Sequence, residues 1–121
     1  MYLDKEQMMI PTTEVSGTCL QGSLNITYEE LTNIFGEPHV KRTAPLDTQF
    51  DSKTDGEWHF IEERNGTDNV VFTIYNWKNG PAYTGQGEVE TITRWNVGGH
   101  NANAFDVVKR YVSNPFKWLS I

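Results

Sequence analysis

Three short runs of this chain carry residue types suited to chemistry. The first, Ile74-Tyr75-Asn76-Trp77-Lys78, sets two aromatic rings beside an amide and a cation. It leads into a segment with Gly80, Pro81, Gly85 and Gly87, read as a flexible loop carrying Tyr83. The second run is Arg94-Trp95-Asn96, and the third is Gly98-Gly99-His100-Asn101, just ahead of an expected helix. Aromatic rings stack on nucleobases, at roughly 1–3 kcal/mol per base. Lys78, Arg94 and His100 are placed to neutralise phosphates. A glycine-rich strand-to-helix turn offers free backbone N–H groups, and the helix dipole there favours an anion. Together the runs suit a small ligand with flat bases and few phosphates. Each piece also has a plain structural reading. Tyr75, Trp77 and Trp95 are core-type residues, Lys78 marks a strand end, Gly98-Gly99 is a tight turn, and Asn101 caps the helix.

Complete catalytic motifs are missing from the sequence. The three histidines, His39, His59 and His100, lie far apart along the chain, against the close spacing of zinc ligands, so no metal site is expected. None of them opens an H-x-[ST] motif, and there is neither a G-x-S-x-G elbow nor a phosphate loop ending in G-K-[ST]. Glu62-Glu63, Glu88, Glu90, Asp51 and Asp55 read as a solvated acidic surface, within which an acid–base pair can still hide. The expectation is a protein that binds without converting: no catalytic residue, no cofactor.

A formal net charge of -6 and a pI near 4.9 argue against duplex nucleic acid as a partner, but allow a ligand with one or two phosphates. One cysteine, Cys19, precludes a disulfide within the chain, and its surroundings suggest a buried strand residue. The first residues do not have the pattern of a signal peptide, and no apolar run approaches the ~20 residues of a membrane helix. A cytosolic protein with no membrane partner is expected.

The elements that must position these residues follow from periodicity. Residues 1–16 read as an N-terminal arm or edge strand, and 17–121 as one α+β domain. A strand is expected over Gly17–Asn25. Thr27-Tyr28-Glu29-Glu30 is a capping box opening a helix whose apolar face is Tyr28, Leu31, Ile34 and Phe35, ended by Gly36 and Pro38. Residues 39–55 read as a long loop. Gly56–Arg64 and about Asn69–Lys78 read as strands joined by an Asn65-Gly66 hairpin turn. Strict alternation puts Val70, Phe72, Ile74 and Asn76 on one face and Val71, Thr73, Tyr75 and Trp77 on the other. A last strand spans about Thr91–Val97, and a second helix begins near Asn101 with Phe105, Val108, Tyr111 and Val112 inward. The tail, 114–121, is apolar and expected to pack on the domain or on a neighbouring subunit. The order β-α-β-β-β-α predicts an antiparallel sheet of about four strands with two α-helices on one face.

The runs Tyr28-Glu29-Glu30-Leu31, Phe35-Gly36-Glu37-Pro38, Glu57-Trp58, Ile74-Tyr75-Asn76-Trp77-Lys78 and Trp95-Asn96-Val97-Gly98-Gly99-His100 resemble a group of small bacteriophage immune-evasion proteins, most nearly the phage anti-CBASS sponges. The likeness covers about Thr18 to Val112. It implies a viral protein, in the cytoplasm of the infected bacterial host. As a homotetramer, it would sequester a cyclic dinucleotide alarm signal such as 3′,3′-cGAMP without cleaving it. A different class also fits an acidic, aromatic-rich chain: a protein-binding inhibitor of a host defence enzyme, of anti-CRISPR or DNA-mimic type. Binding of a cyclic dinucleotide, against co-purification with a host protein, discriminates the two.

Overall fold

The computed structural model describes residues 7–41, 54–64, 69–84 and 87–113. They form an antiparallel sheet of six strands: β1 (Gln7–Pro11), β2 (Cys19–Asn25), β3 (Val40–Lys41), β4 (Gly56–Arg64), β5 (Val70–Tyr75) and β6 (Arg94–Gly99). Two helices, α1 (Tyr28–Phe35) and α3 (Asn103–Ser113), accompany it, with a single helical turn α2 (Pro81–Thr84) and a 3₁₀ turn (Val89–Thr91). The expected α+β class holds. The sheet is wider than the four strands read from the sequence, because the N-terminal arm supplies β1 and the expected loop after α1 supplies β3.

Strand order is β1-β4-β5-β6-β2, with β3 also beside β4. Both helices lie on one face. Tyr28, Leu31 and Phe35 of α1, and Val107, Val108 and Tyr111 of α3, pack with Trp58, Phe60, Phe72, Ile74, Trp95 and Val97 of the central strands. Rings dominate this core, for example Trp58 against Trp95 at 5.4 Å between centroids, edge to face, an arrangement favoured by the ring quadrupoles. The indole N–H groups are satisfied: Trp58 Nε1 donates to the Gly36 carbonyl and Trp95 Nε1 to the Ile92 carbonyl. Two carboxyl side chains, Asp55 and Glu62, are buried among the described residues. Glu62 is fully buried; its carboxylate accepts from Tyr111 Oη at 2.7 Å and pairs with Arg110 Nη2. That partnership meets the requirement that a buried charge be paired.

The capping box forms as read. Thr27 N–H donates to Glu30 Oε1 at 3.0 Å, and Glu30 N–H to Thr27 Oγ1 at 3.1 Å. Gly36 takes φ 83° at the end of α1, a conformation glycine reaches without steric cost. The Asn65-Gly66 turn and the 114–121 tail lie outside the described residues, although β4 and β5 pair antiparallel as a hairpin would.

The expected burial of Cys19 in β2 fails, and the strand is irregular. Its pairing with β6 slips between Leu20 and Gly22, a β-bulge that breaks the alternation of faces. Leu24 and Gly22 still face the helices, and Phe105 fills the space over Gly22. The slip turns Leu20, opposite Gly98, to the other face, where it is 58% exposed; Cys19, at the start of the strand opposite Gly99, is exposed, not buried.

Among the described residues, no helix packs on the other face of the sheet. The seven residues 12–18 join β1 at one edge to β2 at the other. That crossing is four strand spacings, about 19 Å, within the roughly 23 Å reach of seven extended residues. Thr12 N–H donates to the His59 carbonyl where the segment departs, and Val15 and Thr18 stand over the open face. Residues 12–18 thus form a strap across the middle of the uncovered face.

Candidate functional site

Beside the strap lies an open recess of about 280 Å³. Cross-strand registry explains its floor, because directly paired residues share a face. Glu57 pairs with Tyr75 and Tyr75 with Asn96; His59 pairs with Thr73 and Thr73 with Gly98. Of these, Glu57, His59, Thr73, Tyr75 and Gly98 line the recess, walled by Thr54 and Trp77 at one end and by Val15, Thr18 and Cys19 of the strap side. A side chain at position 98 would fill the floor: its Cβ would stand 2.5 Å from Thr73 Oγ1 and 3.4 Å from Tyr75 Cε1.

The polar groups of the floor are interlocked. Glu57 Oε2 accepts from Thr54 Oγ1 at 2.8 Å, and Glu57 Oε1 lies 2.9 Å from His59 Nε2. Backbone N–H of His59 donates to His39 Nδ1 at 2.9 Å, which sets the remaining proton of a neutral His39 on Nε2. Burial, and then the adjacent His59, lower the pKa of His39, against a smaller opposing effect of that backbone bond. Burial, aided by Cys19 and Glu57, raises the pKa of Tyr75, so its phenol is held as a neutral donor.

At the rim, two rings flank one cation. Trp77 is 46% and Tyr83 52% exposed, and Lys78 Nζ lies 5.9 Å and 5.6 Å from their ring centroids. Lys78 holds φ 58°, left-handed backbone that a non-glycine residue adopts at a cost of about 1–2 kcal/mol. Asn79 Nδ2 donates to the Arg94 carbonyl at 3.0 Å and ties this loop to the start of β6. Arg94 is exposed there, with Nη2 3.5 Å from Ser23 Oγ.

The residues singled out from the sequence therefore divide. Tyr75, Trp77 and Gly98 line the recess; Lys78, Tyr83 and Arg94 stand at the same end of the sheet. Asn76 turns inward, where its Oδ1 accepts from Asp55 N–H at 2.7 Å and Gly56 N–H at 3.3 Å and its Nδ2 donates to Asp55 Oδ2 at 2.8 Å. It fixes the start of β4 and offers nothing to a ligand. Trp95 is 0% exposed in the core and has no ring face to stack on a base.

The expected glycine turn is corrected too. Gly98 and Gly99 belong to β6 and pair on both sides, with Leu20 and Cys19 of β2 and with Thr73 and Phe72 of β5. Glycine is required at 99 by packing, because a Cβ would stand 2.2 Å from that of Ala104. His100 is exposed against the strap at Gly17, and Asn101 Oδ1 accepts from Asn103 N–H at 2.9 Å as a local cap. They follow the end of β6, six and seven residues from Arg94, about 20 Å away for an extended chain. The three runs do not meet at one point.

Sequence reasoning passed over Glu57, His59, Thr73 and Thr54. The signal was present, since Glu57 and His59 are two apart on a strand and so share the face opposite Trp58 and Phe60. Among the described residues no three His, Cys, Asp or Glu side chains are grouped as a metal site. No helix among them is long and apolar enough to cross a membrane. No protein-family model matches the chain, and neither a curated protein nor a solved structure matches it.

Proposed function

We propose that this chain binds and sequesters a cyclic dinucleotide second messenger, such as 3′,3′-cGAMP, without cleaving it, as a phage protein acting in the host cytoplasm. The observation that carries the reading is the exposed Trp77–Lys78–Tyr83 group, whose Trp77 lines the open-face recess. Two exposed rings offer stacking surface and the cation between them offers a phosphate contact. Hydroxyl, imidazole and carboxylate groups on the floor suit the polar edges of a base.

Size favours an assembly. The recess is near the lower end of small-molecule sites, which run from about 300 Å³. It accommodates one base and part of a sugar, so the second half of a two-fold ligand needs a second copy of the chain. Homo-oligomers with two-fold axes meet such a ligand symmetrically, in keeping with the tetramer implied by the phage likeness. Isothermal titration calorimetry against a panel of cyclic di- and trinucleotides tests the reading, with mass spectrometry of the ligand after heat release. Saturable binding and an unaltered ligand mass are expected; absence of heat across the panel, or a cleaved product, overturns it.

A second reading is favoured by Leu20, which is 58% exposed on the same open face as Gly98. An apolar residue there suits a partner protein, and the function would then be inhibition of a host defence enzyme. Co-purification of one host protein, lost in Leu20→Lys, is its expected outcome.

A further inference from the structure

We infer that Asn96 and Arg94, set in place by Ser23, form a phosphate subsite beside the recess; that the phosphate is the ligand's own rests on the proposed nucleotide binding. The three side chains share the open face, because Ser23 is paired with Asn96 across β2 and β6, and Asn96 with Tyr75 across β6 and β5. Asn96 is thereby the direct neighbour of a residue that lines the recess. Gly98, on the floor, lies two residues along the same strand, about 7 Å away. The sugar between a base and its phosphate spans such a separation. Arg94 Nη2 donates to Ser23 Oγ at 3.5 Å, and Ser23 Oγ donates to Asn96 Oδ1 at 3.0 Å.

The direction of that relay fixes what is presented to a ligand. A guanidinium only donates, so Ser23 Oγ accepts from Arg94 and turns its single hydrogen to Asn96. The amide must then accept through Oδ1, which leaves the two N–H groups of Nδ2. Among the described residues, the side chains of Asn96 and Arg94 make no other hydrogen bond or ion pair. Tyr28 Oη is the single buried polar side-chain atom without a partner among those residues, so the unpartnered Asn96 Nδ2 is open to solvent. Arg94 is exposed and has no carboxylate beside it, whereas Lys109 and Arg110 are paired with Asp106 and Glu62. In a chain with 16 acidic and 10 basic residues, such an arginine keeps its charge for a ligand. The surface thus offers a positive charge and hydrogens to donate, with no acceptor among them. An ionised phosphate, whose oxygens only accept, fits that pattern; a base edge, which mixes donors and acceptors, does not.

The test uses the full chain and two probes. In ¹H–¹⁵N spectra, inorganic phosphate is expected to shift the Asn96 side-chain amide pair and the Arg94 Nε–H progressively to saturation, and sodium chloride at equal ionic strength is not. Asn96→Asp puts a carboxylate where the amide donated and is expected to weaken the phosphate response at Arg94 at least about tenfold. Ser23→Ala keeps both donors but removes the group that orients the amide; a loss of about threefold is expected for this positioning residue, with melting temperatures recorded alongside. Equal shifts with chloride, no shift at all, or an unchanged response in Asn96→Asp at the wild-type melting temperature overturns the inference. The second probe identifies the source of the phosphate. 3′,3′-cGAMP is expected to move the same resonances and, at saturation, to abolish the response to inorganic phosphate. A bound cyclic dinucleotide that leaves that response intact overturns the assignment to the ligand's phosphate. Saturable binding of inorganic phosphate without any cyclic dinucleotide binding would keep the subsite while the sequestration reading falls.

Discussion

The two faces of this sheet use the same strands to opposite ends. Along β4, Trp58, Phe60 and Glu62 point to the helices and are buried, while Glu57 and His59 between them point to the strap and line an open recess. Two tryptophans show the contrast most sharply. Trp95 is 0% exposed and its N–H is consumed by the Ile92 carbonyl; Trp77 is 46% exposed beside a lysine. The helix face is close-packed, and the indole N–H groups of Trp58 and Trp95 and the carboxylate of Glu62 are each bonded within it. Among the described residues, the strap covers only part of the open face, where Glu57, His59, Tyr75 and Trp77 line the recess. The proposed binding is thereby separable from stability, one face each.

Substitutions can break that separation. The largest effect is expected at Trp95→Ala, which should cost about 3–5 kcal/mol in chemical denaturation as a buried ring is deleted. A small loss there would mean the helix face is not the stabilising one. Next, Tyr111→Phe removes a donor from the buried Glu62 and should cost about 1–3 kcal/mol, with nucleotide binding by the folded fraction unchanged. Trp77→Ala should leave stability within about 0.5 kcal/mol, as surface changes generally do. It should nonetheless weaken the nucleotide about tenfold, corresponding to the stacking of one base. Equal losses of stability and affinity there would erase the distinction between the faces.

The smallest effect is a pH dependence at the edge of β4, where the His39 ring packs against Phe60. Because the pKa of His39 is lowered in the fold, the unfolded chain takes up the proton first as pH falls. The contribution is complete above the ordinary value of 6.5 and is lost as pH drops through the folded value. Melting temperature should therefore decline below about pH 6.5, and His39→Asn should flatten that part of the profile.

Local signals were legible in the sequence and distant ones were not. Thr27 and Glu30 meet within one helical turn, so the start of α1 could be read from four residues. The faces of β5 followed from simple alternation, including the inward Asn76 and outward Tyr75 and Trp77. Gly98-Gly99 looked like a turn because glycine there is dictated by Thr73 and Ala104, one far away along the chain and the other in the next helix. Leu20 faces outward because the slip between Leu20 and Gly22 is set by pairing with β6, not by β2's own residues. Residues 12–16 read as an arm, since nothing local reveals that the chain must cross the sheet between its two edges. Trp77 and Trp95 could not be told apart by type; only the topology decides which is covered by a helix.

The central claim, that the nucleotide is held on the strapped face and not in the aromatic core, is tested most directly by the indole N–H resonances in a ¹H–¹⁵N titration with 3′,3′-cGAMP. The Trp77 resonance should shift progressively to saturation, while those of Trp58 and Trp95, bonded to Gly36 and Ile92, should stay in place. A saturating ligand that moves Trp58 or Trp95 and leaves Trp77 unmoved would contradict the account.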